Sequence, residues 1–226
     1  MNYEIFGDNL PAVTIKLSPG ESIYTQSGGM SWMTNGMKME TNVKGGMLKG
    51  LGRMLTGESL FMATYSATQP DDEITLASAF PGGIVALEVG GGKEYIIQKS
   101  GFLCAQPNVE LSMEVIKGMS GGLFGGEGFL LQRLKGNGLA FIEIDGSVKE
   151  IDLAPGQRLK VDTGNVAIYE STVRYSVETV KGFTNILFGG EGLFLTTLEG
   201  PGKVWLQTMT LPNFAGRIVP FIPKSK

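Results

Sequence analysis

A chain of 226 residues with 42% apolar residues and 34 glycines can bury a sizeable core and has the turn residues of a β protein, which excludes a disordered chain. A net charge of −3 with 18% charged residues argues against a nucleic-acid binder held by phosphate contacts. There is no histidine, and Cys104 is the one cysteine. Ser-His-Asp and Cys-His catalysis, His-ligated zinc, an intramolecular disulfide and a multi-cysteine metal site are therefore removed.

The start, Met1 to Phe6, has no basic region and no long apolar stretch; with a single cysteine it points to the cytoplasm. Val13, Ile15 and Leu17 then alternate with polar neighbours up to a Pro19-Gly20 turn, the period of a half-buried strand. Met47, Leu48, Leu51, Met54 and Leu55 follow helical spacing within 44–55, with Lys44, Lys49 and Arg53 outside the apolar set. Four glycines weaken a helix there, so the stretch reads as a loop or short helix packed on a neighbour, with a basic membrane-surface contact as the alternative. Asp71-Asp72-Glu73 reads as a solvated loop, because adjacent aspartates point apart and make a poor cation site. The uncharged stretch Ile74 to Leu87 contains Pro81, Gly82 and Gly83 and falls short of the ~18 residues that span a bilayer.

Gly90, Gly91 and Gly92 lie between strands 84–89 and 95–98, as a hairpin turn would, and no phosphate-loop or dinucleotide motif is present. Cys104 sits in an apolar run and reads as a buried, inert thiol. Ile151 and Leu153, then Leu159 and Val161, alternate with charged residues on either side of Pro155-Gly156, which predicts a hairpin with one buried face. Val173, Tyr175 and Val177 alternate with polar residues, and Val204, Leu206 and Thr208 alternate with Trp205, Gln207 and Met209. Trp32 and Trp205 read as core residues rather than a base-stacking platform.

An internal repeat organises these strands. Residues 112–138 and 176–202 align without a gap at an offset of 64, with fourteen identities in twenty-seven positions. The shared phrase is Leu123-Phe124-Gly125-Gly126-Glu127-Gly128 and Leu187-Phe188-Gly189-Gly190-Glu191-Gly192, with a worn first copy around Gly57 and Glu58. Ser27-Gly28 aligns with Ser100-Gly101, and Thr163-Gly164 takes the same place in the third copy. The expected architecture is all-β, in three tandem sandwich or barrel modules at 1–80, 81–146 and 147–226. Glu58, Glu127 and Glu191 form the one recurrent ionisable set. Three equivalent carboxylates are read as structural, each accepting hydrogen bonds from its own glycine turn, rather than as a cation or acid–base site.

Gly189-Gly190-Glu191-Gly192-Leu193-Phe194-Leu195, then Leu198-Glu199-Gly200-Pro201-Gly202 and Val204-Trp205-Leu206-Gln207-Thr208, resemble the hallmark of an uncharacterised bacterial family related to the fungal altered-inheritance-of-mitochondria protein. The resemblance covers essentially the whole chain. It implies a fold like that of the tryptophan RNA-binding attenuation protein, with three small β modules per chain assembling into rings, and the RNA ligand is not carried over. The mitochondrial relatives are linked to inner-membrane organisation, and this chain lacks their targeting extension.

These readings lead to a non-enzymatic scaffolding oligomer with no cofactor, in which a head-to-tail trimer would place nine modules around one axis. The rival reading is a module that binds a small ligand or lipid head group between repeats or at the assembly axis. A protein partner or a peripheral membrane contact fits either one.

Overall fold

The computed structural model describes residues 1–26, 29–43, 61–115, 130–179 and 194–222. Among them the chain is almost entirely β, in two compact units, Met1–Glu143 and Ile144–Lys226. The first unit contains β1 (Asn2–Phe6), β2 (Ala12–Leu17), β3 (Ser22–Gln26), β4 (Met30–Met33), β5 (Met37–Val43), β6 (Phe61–Ala67) and β7 (Asp72–Ala77). It continues with β8 (Gly82–Val89), β9 (Tyr95–Gln98), β10 (Phe102–Ala105), β11 (Val109–Val115), β12 (Leu130–Gly136) and β13 (Gly138–Asp145), the last crossing its boundary. The second unit contains β14 (Val148–Leu153), β15 (Arg158–Asp162), β16 (Val166–Glu170), β17 (Arg174–Thr179), β18 (Phe194–Glu199) and β19 (Gly202–Gln207), followed by helix α1 (Leu211–Ile218).

In the first unit a four-stranded sheet has the order β1-β2-β7-β4 and a six-stranded one the order β5-β6-β3-β10-β13-β8, beside the antiparallel run β11-β12-β9. Val13, Ile15 and Leu17 of β2 are buried as their alternation predicts. They join Ile23, Tyr65, Ile74, Leu76 and Phe141 in a core that draws on both sheets. In the second unit β14-β19-β16 form one run and β15-β18-β17 another.

The Pro-Gly turns do not make hairpins. β2 and β3 flank Pro19-Gly20, yet β2 pairs with β7 and β3 with β6. Likewise β14 pairs with β19 and β15 with β18 on the two sides of Pro155-Gly156. Each turn is a corner at which the chain leaves one sheet for another. Gly90 and Lys93 close a tight turn by mutual backbone bonds, but β8 and β9 again belong to different sheets.

One irregularity occurs at three places. The pairing of β4 with β7 slips between Met30 and Trp32, that of β10 with β13 between Phe102 and Cys104, and that of β16 with β19 between Val166 and Ile168. Each bulge leaves one residue unopposed. Gly29 N donates to Gln26 O, and Gly101 N donates to Gln98 O, just before the first and second bulges.

Leu130–Gly136 lies between β11 and β9, and Gly202–Gln207 between β16 and β14, so both are interior strands. One further expectation needs correction. Trp205 and Gln207 of β19 are buried along with Val204, because a central strand is covered on both faces and loses its alternation.

Gln132 on β12 is fully buried, and among the described residues neither its Nε2 nor its Oε1 has a hydrogen-bond partner. An orphaned buried amide costs about 1–3 kcal/mol. Gln132→Met, close in shape, should raise the thermal midpoint. A midpoint that stays level or falls would mean that the amide is satisfied in solution.

Candidate functional site

The glycine–glutamate phrase cannot be placed: Gly57, Glu58, Gly125, Gly126, Glu127, Gly128, Gly189, Gly190, Glu191 and Gly192 all lie outside the described residues, as does 44–55. The three segments holding them connect the strand pairs β5–β6, β11–β12 and β17–β18. Among the described residues no three acidic, cysteine or histidine side chains are grouped to hold a metal ion. No described helix is long and apolar enough to cross a membrane. Cys104 is fully buried, and burial pushes its thiol well above the ordinary range, which keeps it protonated and unreactive.

Asp72 is not a solvated loop residue. It begins β7 with 3% of its surface exposed and accepts hydrogen bonds from Thr34 Oγ1 at 2.7 Å and from the backbone N–H groups of Thr68 and Gln69 at 2.9 Å each. These donors, Thr34 first among them, hold its carboxyl below the usual carboxylate range. Gly36 lies against the same carboxylate so closely that a Cβ there would collide with both oxygens. Asp71, just before it, takes a left-handed φ of +61° that aspartate tolerates. The acidic triplet is thus a turn lock joining the start of β7 to the loop after β4.

Among the described residues β4 ends its sheet with β7 as its one neighbour and β15 ends its own with β18, as β1, β5, β8, β11, β14 and β17 end theirs. Trp32, expected in the core, lies on β4 and is 55% exposed. Its ring is 6.5 Å from that of Phe6, and Leu10 is 64% exposed on the loop after β1. Register places Glu4, Thr14, Thr75 and Trp32 in one row across the sheet, with Phe6, Ala12 and Ala77 in the next row on the same face. Thr75 and Ala12 are buried in these rows, so the exposed apolar groups here are Phe6 and Trp32 on the sheet and Leu10 on the loop beside it.

Helix α1 was not anticipated. The Thr210 hydroxyl caps it by accepting from Asn213 N, Pro212 sits in its first turn, and Arg217 complements its C-terminal carbonyls. The signal was present as Thr210-Leu211-Pro212 ahead of Phe214 and Ile218 at helical spacing, a short window directly after a strand. None of its residues is buried.

A family profile described as mitochondrial biogenesis AIM24 matches residues 3–209. The chain is 33% identical over 223 residues to an uncharacterized protein of Streptococcus pyogenes serotype M6, spanning 95% of this chain and 88% of that protein. A crystal structure of a Streptococcus pyogenes protein from a structural genomics consortium is similar with a TM-score of 0.79 and 29% identity. That match spans 98% of this chain and 99% of the other.

The lowered pKa of Asp72 sets the sign of a pH effect. Its contribution is full above the unfolded carboxylate pKa of about 3.9 and is lost as pH falls through the lower folded value. Asp72→Asn should lower the thermal midpoint at neutral pH, and its gap from the parent protein should close below about pH 4. Midpoint-against-pH curves that run parallel down to that range would show that the ionised carboxylate does not carry the lock.

Proposed function

This chain belongs to the mitochondrial biogenesis AIM24 family, and we propose that it is a non-enzymatic scaffold that assembles head to tail with copies of itself. The contrast between a sealed joint and two open ends carries this reading. Inside the first unit β3 takes β10 as its second partner, with Thr25 opposite Cys104 and Tyr24 opposite Ala105. Tyr24 stacks on Phe102 at 5.4 Å, its hydroxyl donates to Val109 O, and Thr25 Oγ1 donates to Leu103 O.

In the proposed arrangement the chain is three equivalent β modules, at 1–80, 81–146 and 147–226, like those of the tryptophan RNA-binding attenuation protein. The recurrent bulge supports this, and so do the corners Pro19-Gly20 and Pro155-Gly156, which precede β3 and β15 at the same spacing. By that equivalence β15 is the counterpart of β3, and β4 that of β10. Trp32, exposed, then holds the position of Cys104, which the sealed joint buries completely. Carrying the β3–β10 register across two copies places Val161 of one opposite Trp32 of the next, and Lys160 opposite Met33.

Such a contact is heterologous and either closes or grows into a fibre. Closure by three copies gives nine modules around one axis. A chain with no histidine and with its one thiol buried suits a structural role better than a catalytic one, and the cytoplasm is the proposed location. Sedimentation velocity at micromolar concentration should give a single species near three times 24.2 kDa. A monodisperse monomer would overturn the scaffold reading, and a dimer would overturn the symmetry.

A further inference from the structure

We infer that the segment 211–222, helix α1 and the 3₁₀ turn Val219–Phe221 that follows it, is a surface anchor for an anionic lipid leaflet. The anchor needs no head-to-tail contact and serves one copy as it would three. The family profile ends at residue 209, and the segment belongs to what lies beyond it.

Exposure selects the segment. Among the described residues thirteen large apolar side chains are exposed, and six of them fall within 211–222. Such a density marks a binding surface rather than singly scattered residues. Phe214 has a contact within the chain and Ala215 is partly buried, so the middle of the helix is already engaged. The groups left to water lie on either side of it: Leu211 at 57%, Val219 at 60%, Phe221 at 84% and Ile222 at 57%. The near end is fixed. Thr210 is buried, its hydroxyl caps the helix, and its Cγ2 lies 3.0 Å from where a Gly164 Cβ would stand. The helix therefore starts on the second unit and bares apolar side chains toward its far end.

Charge and shape select the occupant. The chain carries a net −3, yet beyond Glu199 it has no Asp or Glu, and Arg217, Lys224 and Lys226 follow. Helical spacing puts Asn213 and Arg217 on the side of α1 opposite Leu211 and Ile218. Apolar side chains beside cations, with no acid among them, suit an anionic lipid interface, which offers hydrocarbon beneath its head groups and phosphate around them. A groove in another protein would have to fit a short segment that holds Pro212 and Pro220 and has its most exposed side chain near the far end. A lipid interface needs no matching shape. No described helix is long and apolar enough to cross a bilayer, so the contact lies in the plane of the surface.

The test is co-sedimentation of the full chain with mixed phosphatidylglycerol–phosphatidylcholine vesicles, against vesicles of phosphatidylcholine alone. The parent protein should bind the mixed vesicles, bind the neutral ones far less, and lose binding as salt is raised. Phe221→Ser with Ile222→Ser should weaken binding roughly tenfold or more. Both residues are exposed, so circular dichroism, thermal midpoint and oligomeric state without lipid should match the parent. Arg217→Gln with Lys224→Gln should cost about fivefold per charge, on the mixed vesicles only. An environment-sensitive dye on Phe221→Cys should shift to the blue when mixed vesicles are added, and the fully buried Cys104 leaves the labelling confined to that site. A parent protein that ignores the mixed vesicles would overturn the inference, and so would equal binding to both kinds. Parent-like binding by the Phe221, Ile222 double variant would send the lipid contact to another part of the chain and overturn it too. A double variant that changes oligomeric state while vesicle binding persists would assign the segment to a protein interface, with the same consequence. The first three of these results leave the head-to-tail scaffold standing.

Discussion

Everything in this molecule answers to the demand of strand backbones for hydrogen-bond partners on both sides. A strand with one neighbour presents a row of unmatched N–H and C=O groups, and a sandwich built from corner-turning strands multiplies such rows. The chain meets the demand inside its first unit by joining β3 to β10, two strands from distant parts of the sequence.

Polar side chains hold the corners between sheets, mainly with bonds to backbone and with a hydroxyl donor at two of them. Asp72 gathers two N–H groups and a threonine hydroxyl at the start of β7. Glu143 accepts from Ser78 Oγ and Ala79 N as the chain leaves β7, Gln106 Oε1 accepts from Leu139 N, and Gln157 Oε1 accepts from Ala154 N at the Pro155-Gly156 corner. A corner leaves the ladder for a few residues, so its backbone groups need local partners, and carboxylates and amides supply them. Arg133 does comparable work between strands, bridging Glu94 and Glu114 at 2.8 and 3.0 Å on a half-exposed face where ion pairs contribute little.

How much of this could be read from sequence depended on whether the property was local. The alternation of Val13, Ile15 and Leu17, and of Val161 against Lys160 and Asp162, was legible because those strands have one wet face. Pro19-Gly20 and Pro155-Gly156 were legible as turns. The pairing of the strands on either side was not, since local dihedral preference does not choose a strand's neighbour. The two tryptophans make the point most plainly. Trp205 is 5% exposed on a central strand and Trp32 is 55% exposed on an edge, and nothing within a few residues of either distinguishes them. Edge or centre is decided by the order of strands in the completed sheet. The open edges were therefore out of reach, and helix α1 was missed because its short signal came directly after a strand.

The three bulges have a bearing on how the chain can vary in length. Because side chains alternate between faces, removing or adding one residue within a paired strand turns every later residue of that strand to the wrong side. At Ser31, Leu103 and Ala167 one residue is already unopposed, so a deletion there would restore strict pairing and leave the remainder of β4, β10 or β16 opposite the same partners and on the same faces. Insertions are harmless only where no register runs through them, beyond the far ends of strand pairs such as β5–β6. Family members should accordingly differ in length at these pair ends and keep a constant count of residues between each Pro-Gly corner and its bulge.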